Sequence, residues 1–277
     1  MAETARNVVR RRAVLFRFIV GFAVCGCAAS QPVKVESPPT ALVPVHPSLA
    51  LTCPVVVLDP GHGGEDPGAR YHDMEEKTLT LDIARRVKPI LENAGARVQM
   101  TRDSDAFIPL SDRIRLANKR TADAFVSIHV NANRRAWVSG LEVYAPRESE
   151  VTLSAEWPPE VRANEIAYSA QTVRQILWDV FLRRARLRSY DLSAAVCSQL
   201  QSELTTECTD KTARFVVLRE AWVPAVLVEV GYLSNAAEAE KISNEAYRER
   251  LAQAIGSGII SYLAKRSAVS EPPTQSQ

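Results

Sequence analysis

Four segments of the chain place an imidazole or a carboxylate where chemistry is within reach. His62 lies in Asp59-Pro60-Gly61-His62-Gly63-Gly64, directly after the apolar residues 55–58. His129 closes a second apolar run, Phe125-Val126-Ser127-Ile128-His129, and Glu229 interrupts a third, Ala225-Val226-Leu227-Val228-Glu229-Val230. Glu75 and Glu76 stand side by side ahead of Lys77, at the start of an amphipathic segment. Two histidines and one glutamate suit tetrahedral zinc and leave a fourth position for water. A further glutamate beside that water supplies the general base of a hydrolase.

Each segment also has a plainer reading. Glycine- and proline-rich turns carry histidines with no ligand role. A glutamate at a helix N-terminus is stabilised by the helix dipole with no metal present. A glutamate inside an apolar strand is costly unless it is paired, metal-bound or protonated. Glu75 and Glu76 point about 100° apart on a helix, so one can face a site while the other faces water, and spacing alone does not choose. It is the four segments together that point to metal-assisted hydrolysis.

The elements that must position these residues follow from periodicity. Residues 55–58 read as a buried strand that delivers His62 onto a glycine-dense loop, at the strand end where open α/β sheets bind ligands. Leu79, Ile83, Val87, Ile90, Leu91 and Ala94 recur at helical spacing, with Gly95 as the stop and a kink expected at Pro89. Further strands are predicted at 97–100, 124–128, 140–144, 215–218 and 226–230. Further helices are predicted around Leu110, Ile114 and Ala117, and over 161–181, 192–204 and 247–263. Asn235 with Glu238 resembles a capping box. The alternation predicts one α/β domain, a twisted, mostly parallel or mixed sheet flanked by helices on both faces.

The flanks read differently. Residues 1–27 carry a net +4 while the whole chain carries +2, so the body is near neutral at −2 and gives no electrostatic case for nucleic-acid binding. A basic stretch from Arg6 to Arg12 precedes an apolar run at 18–24 that is too short to span a bilayer comfortably, which is the order of an export signal. Within it, Arg11-Arg12 resembles a twin-arginine motif, and Val24-Cys25-Gly26-Cys27 resembles a lipobox that would lipidate Cys27. Residues 28–52, rich in proline, are expected as an extended linker, 53–266 as the catalytic domain and 267–277 as a disordered tail. An exported domain could hold one disulfide among Cys53, Cys197 and Cys208; Cys197 with Cys208 is one option that sequence does not fix.

Over residues 54–265 the chain resembles the zinc-dependent N-acetylmuramoyl-L-alanine amidases of bacterial cell walls, through DPGHGG at 59–64, EK at 76–77, TRD at 101–103, SIH at 127–129 and LVEVGYLSN at 227–235. The resemblance implies zinc held by His62, Glu76 and His129, with Glu76 chosen over Glu75 because the family's ligand directly precedes lysine. It implies Glu229 as the catalytic glutamate, and Arg102, Arg113 and Asn118 as supports. The family's usual phenylalanine after the last glycine is Tyr232 here. The implied reaction cuts the amide between N-acetylmuramic acid and L-alanine in peptidoglycan, in the periplasm, during wall remodelling or daughter-cell separation. An activator protein is an implied partner, and the stretch 146–190, with Glu160, Glu165, Trp157 and Trp178, is a candidate self-inhibitory cover. His46 and His72 are expected in solvent, with His72, close to Glu76 in sequence, a weaker candidate for a supporting contact at the site. Competing readings are a zinc peptidase cutting within the stem peptide and a non-catalytic wall-binding protein.

Overall fold

The computed structural model describes residues 53–147 and 171–270. The expected signal and linker, with His46 and Cys27, and the positions Trp157, Glu160 and Glu165 lie outside the described residues. In chain order the elements are β1 (Val55–Pro60), β2 (Arg70–Tyr71), β3 (Met74–Glu75), α1 (Glu76–Asn93), β4 (Arg97–Met100), α2 (Leu110–Lys119), β5 (Ala124–Asn131), β6 (Leu141–Pro146), α3 (Gln171–Leu204), β7 (Cys208–Ala213), α4 (Val216–Arg219), β8 (Ala225–Tyr232), α5 (Ala236–Ser243) and α6 (Glu245–Ser270).

Six strands form one sheet in the order β4-β1-β5-β8-β6-β7. The first four are parallel, β6 runs antiparallel to β8, and β7 extends the edge parallel to β6. Helices cover both faces, so the sheet is mixed and sandwiched as expected. Strand side chains alternate between faces. Val56, Leu58, Val126, Ile128, Val226 and Val228 pack under Ile83 of α1, Leu192 and Val196 of α3, and Ile255 and Ile259 of α6. Val57, Phe125, Ala225 and Leu227 point the other way, against Ile114 of α2 and Val217 and Leu218 of α4. Among the described residues no helix is long and apolar enough to cross a membrane.

Three local expectations are corrected. Residues 215–218 were expected as a strand, but α4 begins at Val216. Phe215 is its extended N-cap and stacks edge-on against Tyr144 at 5.2 Å, while Val217 and Leu218 turn under the sheet. So short an apolar run does not separate the two periods. The break expected between 181 and 192 is absent, because α3 is continuous from Gln171 to Leu204. Its polar Ser189 is fully buried, donates to the Ala185 carbonyl at 2.9 Å and accepts from the Ala225 amide at 2.9 Å, so it serves the helix–sheet contact instead of ending the helix. The last helix also runs on to Ser270, past the start of the expected tail. Strand β7, Cys-Thr-Asp-Lys-Thr-Ala, has no apolar run to announce it. A disulfide between Cys197 and Cys208 ties it to α3, with 5.5 Å between the two Cα atoms.

Candidate active site

The carboxyl ends of β1, β5 and β8 converge on one cluster. β1 ends at Pro60, and the Gly61 amide is still paired to the Ile128 carbonyl at 2.9 Å, so the loop leaves the sheet beside β5. His62 follows with φ 60, a left-handed conformation uncommon for a residue with a Cβ. Two buried arginines hold the loop in that shape. Arg102 donates to the carbonyls of Pro60 at 3.0 Å and Gly61 at 2.8 Å, and Arg113 donates to those of Pro60 at 2.8 Å and His62 at 2.7 Å. Arg113 also pairs with the fully buried Asp59 at 2.9 Å. Asn118 acts elsewhere, bonding the Glu220 carbonyl and the Trp222 amide.

Glu76 is the first residue of α1 and is 4% exposed. Its Oε2 accepts from the Ala69 amide at 2.8 Å and lies 3.0 Å from His62 Nε2. Its Oε1 accepts from the Val130 amide at 2.9 Å and lies 3.0 Å from His129 Nδ1. Glu75 turns outward to Arg70 at 2.7 Å, so the structure separates two glutamates that spacing could not. His72 is exposed and sits edge-on against Tyr71, away from the cluster. Trp178 of α3 is buried against Phe181 of the same helix and against Trp222, which follows α4.

Two glycines make the close approach sterically feasible. A Cβ on Gly61 would meet the His129 ring at 2.3 Å, and one on Gly68 would meet Glu76 Oε2 at 2.5 Å. One ligand atom from each of His62, Glu76 and His129 lies within 4.8 Å of the others, and this group could hold a metal ion. Two imidazole nitrogens and a carboxylate oxygen suit zinc well. Asp66 bonds the far nitrogen of His62 at 2.7 Å, which fixes its ring and its tautomer. Burial alone would raise the Glu76 pKa, but the contacts to His129 and His62 hold it well below the usual carboxylate range. For His62, burial lowers the pKa, and Glu76 and Asp66 more than offset that, so it is raised.

Glu229 pairs directly across from His129 in the parallel β5/β8 register. It is 8% exposed, and its Oε2 has no hydrogen-bond partner. Burial first, then the negative charges of Glu76 and Glu142 against the opposing pull of His129, push its pKa up to about 7. A carboxyl poised near neutrality can both accept and return a proton. Asp66 and Glu142 were not foreseen. Asp66 had only its place in the loop as a signal, whereas Glu142 interrupts an apolar strand just as Glu229 does.

Comparison with known proteins gives the chain a family. Residues 56–261 match the N-acetylmuramoyl-L-alanine amidase family Amidase_3. The chain is 36% identical over 219 residues to N-acetylmuramoyl-L-alanine amidase AmiA of Escherichia coli K12, covering 75% of each chain. It is 37% identical over 220 residues to AmiC of Neisseria meningitidis, covering 76% of this chain and 53% of that one. Among solved structures, AmiC2 of Nostoc punctiforme superposes with a TM-score of 0.60 at 32% identity, covering 76% of this chain and 97% of that one. The N-acetylmuramoyl-L-alanine amidase of Clostridium difficile 630 gives 0.62 at 30% identity, covering 78% and 99%. With the cluster, the sheet and the sequence match in agreement, the chain belongs to the N-acetylmuramoyl-L-alanine amidase family.

Proposed function

We propose that the protein hydrolyses the amide between N-acetylmuramic acid and L-alanine in peptidoglycan, with zinc held by His62, Glu76 and His129 and with Glu229 as the catalytic residue. The observation that carries this reading is the three-residue cluster with a buried, unpartnered carboxylate in register beside it. Bound zinc supplies Lewis-acid polarisation of the scissile carbonyl and lowers the pKa of water. Glu229, once ionised, takes a proton from the attacking water, and its raised pKa then favours returning that proton to the departing L-alanine amine. Asp66 keeps one nitrogen of His62 occupied so that the other points to the cluster. Arg102 and Arg113 keep the backbone of residues 60–62 from relaxing away from it.

The site belongs outside the cytoplasm. The export signal at 1–27 supports a periplasmic location, and the Cys197–Cys208 disulfide fits an oxidising compartment. Lipidation of Cys27, with 28–52 as a tether to the 53–266 domain, would anchor it to a membrane. A protein activator is a further expected partner; the related CwlD amidase of Clostridioides difficile, 25% identical, was solved with the GerS lipoprotein. Mass spectrometry of digested peptidoglycan tests the reaction. Stem peptides with a free L-alanine amine, formed with zinc and not with a chelator, are the expected products. Cuts within the stem peptide would replace the amidase reading with a peptidase one, and no products at all would favour a wall-binding role.

A further inference from the structure

Outward from Glu229 the same face of the sheet continues through a second buried carboxylate to an exposed lysine. Glu142 pairs with Glu229 across β6 and β8, and Tyr144 pairs with Lys211 across β6 and β7. Glu142 Oε2 accepts from the Tyr144 hydroxyl at 2.6 Å and from Asn131 Nδ2 at 3.2 Å, while its Oε1 pairs with the Lys211 ammonium. That ammonium lies 5.8 Å from the centre of the Tyr144 ring, which Phe215 flanks edge-on. The lysine side chain is 41% exposed, against 9% for Glu142.

A lysine on an edge strand has an ordinary use, to stop further strands from adding. A lysine serving that end extends into water. Here the alternation of β7 sends Cys208 and Asp210 to α3, through the disulfide and the bond to Ser193, and so turns Lys211 onto the face that carries Glu229. Glu142 then holds it there. An ammonium has three donors, so pairing with one carboxylate oxygen leaves capacity for an incoming acceptor. Glu142 itself stands one strand spacing, roughly 5 Å, from Glu229, and the ammonium that it holds lies one hydrogen bond beyond Glu142. That span corresponds to one to two residues of extended peptide.

We propose that Lys211, positioned by Glu142, binds a free carboxylate on the second residue of the leaving stem peptide and so sets substrate preference. The proposal rests on the amidase reading above. Its test uses the full-length zinc-loaded protein and two muropeptides that differ only in whether that carboxylate is free or amidated. Wild-type kcat/KM should favour the free carboxylate about tenfold, the usual weight of one charge-assisted hydrogen bond. Lys211→Met should collapse the ratio towards one, Lys211→Arg should retain most of it, and Glu142→Gln should lower it. The ratio does not depend on how much of a variant is folded. Turnover by the wild type with no charge preference, or a Lys211→Met variant that loses the same factor on both substrates, overturns the carboxylate subsite and leaves the amidase reading standing. Failure of the wild type to release an L-alanine amine from either substrate removes the amidase reading itself.

Discussion

On one face of the sheet α1, α3 and α6 run 18, 34 and 26 residues, while on the other α2 and α4 run 10 and 4. The long helices bury the strands under one continuous apolar layer. The short ones cover Val57, Phe125, Ala225 and Leu227 and no further. Beyond that point the same alternation brings Asp59, Ser127, His129, Glu229 and Glu142 onto the second face. β5, β6 and β8 therefore serve both purposes, with packing where a helix covers them and chemistry beyond its reach.

The sharpest way to break this contrast is at Glu76, whose two oxygens join both histidines and two backbone amides. Glu76→Ala should lose zinc and turnover together; an elemental assay that found stoichiometric zinc in this variant would remove Glu76 from the ligand set. Glu229→Gln should keep its zinc and lose roughly a thousandfold in kcat, and near-normal release of L-alanine amines would end its role as base. On the other face, Ile255→Ala should cost about 2–5 kcal/mol of stability in a urea titration. It should leave kcat per folded molecule within about twofold of wild type, and a selective loss of kcat would show that the two faces are not separable.

The smallest effect concerns pH. Glu229 is raised from 4.5 to about 7, so its contribution to folding is complete below the unfolded value and is lost as pH rises through the folded one. In chelated protein, wild-type stability should fall between about pH 4.5 and 7 relative to Glu229→Gln, by up to about 3 kcal/mol. Parallel denaturation curves for the two proteins across that range would count against the raised pKa.

The first face was legible in the sequence apart from the continuity of α3, and the second only partly. Val55 to Leu58, Arg97 to Met100 and the helical spacing of α1 announced themselves through apolar periodicity, and Asn235 caps α5 by accepting from the amides of Ala237 and Glu238. His62, His129 and Glu229 stood out because polar residues at the ends of apolar runs are unusual. Glu76 needed the family pattern, since the helix start that separates it from Glu75 depends on a tertiary contact with Val130. Strand β7 was hidden because its stability comes from one disulfide and from pairing with β6, neither of which leaves a periodic trace. The continuity of α3 was hidden because Ser189, a residue that often ends helices, is used inside this one.

The pairing of His129 with Glu229 has a consequence for inheritance. Slippage of either strand by one residue would send its apolar side chains to the wrong face and carry the histidine or the glutamate away from its partner. An insertion or deletion within β5 or β8 therefore damages folding and hydrolysis in one event. The register thus offers no well-folded but chemically silent alternative, and changes of length are harmless only in connections that carry none of the cluster, which excludes the loop that bears His62 and Asp66.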